Sequence, residues 1–271
     1  MKKFVLFFST IALVFSSCSK GEDVQAENPI LDTNSILIKK NIETVPNTIS
    51  GNHVSTTNYF YIGNKIDKYV STSVNKMGSS THTYQYTYSG DLITSIVHTI
   101  ASFPDDNDTR LFTYDVNNRL SIYVQKHLLD GIQYARKKVF TYNTDGTVSE
   151  KDYSGNFTTQ NTPSAVYYKY YIQNGDVVKK ETYSNTDDVL LNTSTYTYDS
   201  KNNPFVNIIG YNKIFLADDD VNKGIHNMLT GDTPNSQYLS TFDYNTNNFP
   251  TKEYYRDPSN NTVTGTNEFF Y

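Results

Sequence analysis

The sequence predicts an all-β protein: a repetitive antiparallel meander of about 15 strands forming one long curved sheet or an incomplete barrel, with one short helical insertion. Three observations carry this reading. An aromatic pair spaced by one residue recurs along the chain, and turn-forming residues follow each copy. The composition, with 24 Tyr and 15 Phe but no Trp, suits half-buried pleated surfaces.

The aromatic pairs are Tyr59-Phe60-Tyr61, Tyr86-Thr87-Tyr88, Phe112-Thr113-Tyr114, Phe140-Thr141-Tyr142, Tyr168-Lys169-Tyr170, Tyr196-Thr197-Tyr198, Phe242-Asp243-Tyr244 and Phe269-Phe270-Tyr271. Their second aromatics are separated by 27, 26, 28, 28, 28, 46 and 27 residues. Six of the seven spacings agree, so the outlying unit carries an insertion, assigned to residues 206–237.

Each copy runs into residues that tolerate positive φ: Gly63-Asn64, Gly90-Asp91, Asn117-Asn118, Asp145-Gly146, Asn174-Gly175, Asn202-Asn203 and Asn247-Asn248. An alternating segment follows, as in Leu92 to Ile100 or Leu120 to Leu128. A looser turn then closes the unit, as at Phe103 to Asp108, Asp130-Gly131, Asn185 to Asp188 or Asp257 to Asn261. Each unit is therefore one hairpin. Ile36-Leu37-Ile38 reads as the second strand of a truncated leading unit.

Side chains alternate faces along a strand. His82, Tyr84, Tyr86 and Tyr88 thus share one face, and Thr and Gln take the other. Tyr88, Tyr114, Tyr142, Tyr170 and Tyr198 should occupy equivalent places on a covered face. A sheet of this many strands cannot stay flat, because each strand pair twists.

The aromatic-Thr-Tyr-Asp pattern followed by an Asn or Gly turn resembles the YD repeat of the Rhs family. The match is clearest at Phe112 to Leu120, Phe140 to Val148 and Tyr196 to Phe205, and weaker over the rest of residues 59–271. That family builds a β-shell around a toxin. With this few units the repeats are not expected to enclose a domain, and no toxin is expected after the last one.

The N-terminus carries a different message. Lys2 and Lys3 precede an apolar run from Phe4 to Phe15, then Ser16-Ser17-Cys18. This is the pattern of an export signal, and the run is too short to span a bilayer, which needs ~20 residues. Cys18 is the only cysteine, so its thiol makes no intrachain disulfide. The segment resembles the lipobox of bacterial lipoproteins, with Phe15 where Leu is usual. The resemblance implies a signal peptide at 1–17, acylation of Cys18, and a tether at 18–34 before a β domain at 35–271. Ser19-Lys20-Gly21-Glu22-Asp23 resembles the export tags of Bacteroidota surface lipoproteins, which favours the cell surface over a periplasm-facing position. Together with the repeats and Asp199 to Phe205, these features resemble outer-membrane lipoproteins of Bacteroidota.

The net charge of −5 gives no footprint for nucleic acid. Nucleotide-loop, nucleophile-elbow and zinc-helix motifs are absent from the sequence, and no cofactor is expected. Only seven Glu are present, and most Asp fall in predicted turns. Asp218, Asp220 and Asn222 crowd oxygen ligands into the insertion and are the calcium candidates. An EF-hand loop needs Gly sixth and Glu twelfth, whereas Lys223 and Leu229 stand there, so a solvated loop capping a helix near Val221 to Leu229 is the default. His82 and His98 lie opposite if the Tyr88–Leu92 loop has three residues, and apart if Gly90-Asp91 is a two-residue turn. A membrane-spanning barrel is disfavoured because the strands carry Lys137, Lys138, Lys179, Lys180 and Glu181.

The expected function is that of a non-catalytic, lipid-anchored envelope protein whose β-scaffold serves binding or assembly. Its partners are the membrane, through lipid on Cys18, and an envelope protein or glycan. A surface glycan-binding lipoprotein using exposed Tyr platforms is the alternative, and a hydrolase with converging carboxylates is the third. Burial of the repeat tyrosines separates the first two. The off-period insertion is expected to leave the sheet and carry function.

Overall fold

The computed structural model describes residues 36–47, 51–217 and 224–271. Cys18, its flanking signal and tether, and Asp218, Asp220 and Asn222 lie outside them. Sixteen strands follow one another: β1 Lys40–Val45, β2 His53–Ile62, β3 Lys65–Asn75, β4 Gly78–Ser89, β5 Leu92–Ile100, β6 Asp108–Tyr114, β7 Leu120–Leu129 and β8 Ile132–Tyr142. The second half comprises β9 Val148–Gly155, β10 Gln160–Gln173, β11 Asp176–Ser184, β12 Leu190–Asn202, β13 His226–Thr233, β14 Ser236–Tyr244, β15 Pro250–Arg256 and β16 Val263–Phe270. Every strand pairs antiparallel with its sequence neighbours, and β1 also pairs with β16, with Asn41 opposite Phe269. The expected curved sheet therefore closes fully, leaving no unpaired edge.

Local chemistry explains the repeating hairpin. In three units the residue after the second Tyr ties the tight turn. Asp115 Oδ1 accepts the N–H groups of Asn117 and Arg119, both at 2.9 Å. Asn245 Oδ1 accepts those of Asn247 and Phe249 at 2.9 and 3.1 Å, and the Asn143 backbone closes on Thr147. Asn118 and Asn248 adopt φ of 56° and 62°, the left-handed region that Asn tolerates.

The register slips by one residue beside most of these turns, between Thr87 and Tyr88, Thr113 and Tyr114, and Asp243 and Tyr244. The surplus residue lies on the strand after the turn. Its hydroxyl bonds back across the slip: Thr94 to the Thr87 carbonyl, Ser121 to Thr113 and Thr251 to Asp243. Such bulges bend and twist a strand pair. Repeated round the sheet, they supply curvature for closure.

The alternation places both aromatics of each pair inside and the middle residue outside, so Thr87, Thr113, Thr141 and Thr197 are exposed. The second residue after each of these turn pairs is buried: Ile66, Ile93, Leu120, Val148 and Val177 are each 2 % exposed or less. Each contributes roughly 1.5–3 kcal/mol by leaving water. Tyr61, Tyr88, Tyr114, Tyr142 and Tyr170 pack in or against this core, and several of the second tyrosines bond to the neighbouring segment. Tyr61, Tyr114, Tyr198 and Tyr271 donate to the carbonyls of Ile38, Ile93, Val177 and Pro250 at 2.6–2.9 Å.

Two expected elements are corrected. Ile36-Leu37-Ile38 is not a strand: β1 starts at Lys40, and fully buried Ile38 instead receives Tyr61. The insertion is shorter than 206–237 and carries no helix at 226–229, because His226–Thr233 is β13 and Ser236–Tyr244 is β14. The β-branched and glycine residues of Thr230-Gly231-Asp232-Thr233 suit a strand better than a helix, and β12 and β14 on either side supply their backbone partners. The helical content among the described residues is two short 3-10 turns, Pro104–Asp106 and Tyr211–Lys213.

The true excursion lies between β12 and β13, and its residues 203–217 fold back into the end of the barrel that carries the tight turns. Ile208, Ile214, Leu216 and Ala217 join the core, flanked by Phe205, Tyr211 and Phe215. Ile209 N–H reaches the Asn64 carbonyl, and Tyr88 Oη donates to the Ile209 carbonyl. Gly210 sits at φ 78°, where a Cβ would stand 2.6 Å from the Asp91 carbonyl oxygen. The segment is thus a plug seated on neighbouring turns. Asp176 fastens its far end, accepting from Ile225 N–H, His226 N–H and His226 Nδ1.

Candidate functional site

Counting back along each strand from the tight turns divides the lumen into layers. The first two are the paired aromatics and the aliphatic residues opposite them, closed by the plug. A cavity of about 220 Å³ remains beside the plug, walled in part by Ile172, Phe205, Tyr211 and Phe215. The next two layers, towards the looser turns, are polar and charged on β4–β9. They form the candidate site.

One half of this belt joins β4, β5 and β6. His98 Nδ1 lies 2.8 Å from Asp108 Oδ2, and Arg110 Nε donates to Asp108 Oδ1 at 2.9 Å. His82 Nδ1 is 3.0 Å from His98 Nε2. The Tyr84 ring stacks on His98 at 4.2 Å and 6°. Burial alone would raise the Asp108 carboxyl, but hydrogen bonds from His98 and Arg110 and their charge outweigh it, leaving it below its ordinary value. Burial, with His98 beside it, lowers His82.

The two histidines meet in a manner neither loop geometry anticipated. Gly90-Asp91 is a two-residue turn, with Ser89 facing Leu92. The register slip that follows brings Tyr84 opposite His98, so both imidazoles face inward and touch diagonally. Among the described residues no group of three or more His, Cys, Asp or Glu is arranged to hold a metal.

The other half joins β8, β9 and β10. Arg136 pairs with Asp152 through Nε and Nη2. Lys138 Nζ lies 3.7 Å from Glu150 Oε1, and Tyr170 Oη donates to Glu150 Oε2 at 2.9 Å. Glu150 is 1 % exposed. Burial pushes its carboxyl up to about 7; the Lys138 charge opposes this, while the Asp152 carboxylate adds to it. Asp152 Oδ1 has no protein donor. Across the lumen, buried Glu253 accepts from the hydroxyls of Tyr238 and Ser240. Burial raises it too, with Glu43 adding repulsion.

These groups form a buried ionic lining in which each carboxylate meets a donor. It can hold protons and fix the distance between strands. Glu150 and Asp152 are adjacent carboxylates, but at 1 % exposure Glu150 is closed to a substrate. The sequence analysis picked out His82 and His98, named Lys138 only as a strand charge, and missed Asp108, Arg110, Arg136, Glu150 and Asp152. Parity would have placed Asp108, Arg110, Arg136 and Lys138: they stand two and four residues before Phe112 and Phe140, on the inward face. The calcium candidates Asp218, Asp220 and Asn222, and the acylation candidate Cys18, fall outside the described residues.

The outer face has an opposite character. Thr and Ser dominate, with mid-strand charges at Lys137, Lys151, Lys169, Lys179, Lys252 and Glu268. Lys252 pairs with Glu268 at 2.8 Å, and Lys179 with Glu181 at 2.7 Å. Lys138 and Lys180, by contrast, point into the lumen. Among the described residues no helix is long and apolar enough to cross a membrane.

No protein-family model matches the chain, and no curated protein does. A porin-like protein from Bacteroides uniformis is similar in structure, with a TM-score of 0.52 over 87 % of this chain and 98 % of that one. The two are 10 % identical. The likeness is one of fold: an all-β barrel.

Proposed function

We propose that this protein is a non-catalytic, lipid-anchored component of the cell envelope whose barrel is a rigid scaffold for binding or assembly. One observation carries the reading: the barrel is closed and filled, yet its outer face is hydroxylated and charged. A lysine facing hydrocarbon near the bilayer midplane costs ~2–4 kcal/mol, and outward lysines stand mid-strand on several strands. A barrel with this surface stays in water and needs another means of reaching a membrane. The lipobox-like segment ending at Cys18 supplies it, since two or more acyl chains make a stable anchor.

The porin-like neighbour supports an envelope barrel of the outer membrane, and the YD-like repeats support a structural rather than catalytic use of the sheet. On this reading the tag-like segment after Cys18 directs the barrel to the cell surface. The repeat tyrosines are core, so they serve as latches and not as binding platforms. Glycan binding remains a second reading, favoured by a different set of tyrosines on the outer face.

The test is membrane fractionation with a labelled fatty acid. The native chain should carry label and sediment with membranes, whereas Cys18→Ser should lose both label and membrane. A Cys18→Ser chain that still sediments after alkaline carbonate extraction would mean that the barrel itself is embedded, and the proposal fails.

A further inference from the structure

The repeat sends most of its aromatic side chains inward, and the outward exceptions concentrate in one sector. On β9, β10 and β11 four tyrosines outside the paired-aromatic pattern face outward: Tyr153, Tyr167, Tyr171 and Tyr183. Tyr167 and Tyr183 lie opposite each other in register, their rings stacked at 5.2 Å and 11°. Tyrosines at these positions add nothing to the lumen. They convert a hydroxylated outer surface into an aromatic one over three adjacent strands.

The turn between β11 and β12 folds over this sector and is pinned there. Asn185 N–H donates to the Ala165 carbonyl, Asn185 Nδ2 donates to the Ser164 carbonyl at 3.0 Å, and Tyr167 Oη donates to Asp188. The result is an open groove of about 570 Å³. Tyr167 lies against it, Ser149 and Lys151 line one side, and Asn185, Asp187 and Asp188 line the other. Three bonds hold the wall in place without a ligand, so little ordering is left to oppose binding.

We propose that this groove binds a neutral oligosaccharide. The chemistry selects among occupants. A pyranose presents an apolar face of C–H groups, which suits the outward edge of the stacked Tyr167–Tyr183 pair, and a rim of vicinal hydroxyls, which suits carboxylate, amide and ammonium groups. Asp187 and Asp188 disfavour a polyanion, and Lys151 disfavours a polycation. A peptide that adds as a strand needs a free sheet edge, and the closed barrel has none. The groove also opens beside a turn at the end of the barrel opposite to where the chain joins β1.

This deepens the scaffold reading and rests on the outer face lying in water. The experiment is affinity electrophoresis of the purified full chain through gels containing starch, α-mannan, β-glucan or xylan, with dextran sulfate as the anionic control. At least one polysaccharide should retard it, and Tyr167→Ala and Asp187→Asn should each weaken that retardation at least tenfold. Tyr254→Ala, on the outer face of β15, should leave it unchanged. No retardation by any neutral polysaccharide, retardation only by a sulfated one, or full retardation of Tyr167→Ala overturns the proposal. Lysine labelling in intact vesicles separates this failure from that of the scaffold reading: protected outer lysines would mean a lipid-embedded barrel, whereas labelled lysines with no glycan bound would leave the scaffold standing.

Discussion

Tyr114 illustrates what one residue of the repeat does. Its ring packs on the core and its hydroxyl reaches the Ile93 carbonyl on the neighbouring strand. The ring contributes burial and the hydroxyl contributes direction. Tyr114→Phe should therefore cost about 1 kcal/mol and Tyr114→Ala ~3–5 kcal/mol, read from urea unfolding. Equal losses for the two variants would mean that the ring contributes nothing. Glu150 acts in the opposite sense. Its folded value is raised to about 7 from an ordinary value near 4.5, so the protonated carboxyl is the form that the fold favours. That stabilisation is complete below about pH 4.5 and is lost as pH rises through 7, with a total on the order of 3 kcal/mol. Glu150→Gln should flatten the decline in urea midpoint between pH 5 and pH 8. An unchanged slope would assign the decline to other groups. Both residues were visible in the sequence, but only Tyr114 was legible. A recurring aromatic announces its role by its period, whereas a lone Glu at an inward position needs its parity counted from the nearest pair.

At the scale of elements, the hairpins were readable because two local signals agree: alternation along each strand and Asn or Gly at each turn. The register slips were not readable. They hinge on one surplus residue after the turn, a Thr or Ser in three units, such as Thr94 or Ser121, which looks like any other outward hydroxyl. The plug was misread for a related reason. Its apolar residues, Ile208, Ile214, Leu216 and Ala217, follow neither a strand nor a helix period, so the acidic run beside them drew a helix instead. Its burial makes this segment part of the core. Deleting residues 205–217 and closing the gap with a Gly-Asn turn should abolish the cooperative unfolding transition. Ile214→Ala alone should cost ~2–5 kcal/mol. A deletion variant that keeps a sharp transition would mean that the barrel holds its shape empty.

For the described barrel as a whole, the arrangement departs from that of a spanning barrel. A spanning barrel of this strand number keeps its apolar side chains towards lipid and encloses water. Here aromatic and aliphatic side chains fill the tight-turn end of the interior, an ionic belt lies beyond them, and the outer face carries mainly hydroxyls and charges. The sequence carried that departure in its outward Thr and Lys positions. Closure was hidden, because it depends on sixteen small twists summing to a full circle, and no single residue encodes the sum.

Closure also decides which way the object points. β1 begins beside Asn58 and Phe270, at the tight-turn end, where Asn207 holds the Ile36 carbonyl against the plug. The described chain therefore enters the barrel at its sealed floor and not at its rim. The rim, with its long turns and the tyrosine-faced sector beneath one of them, lies at the end away from that entry.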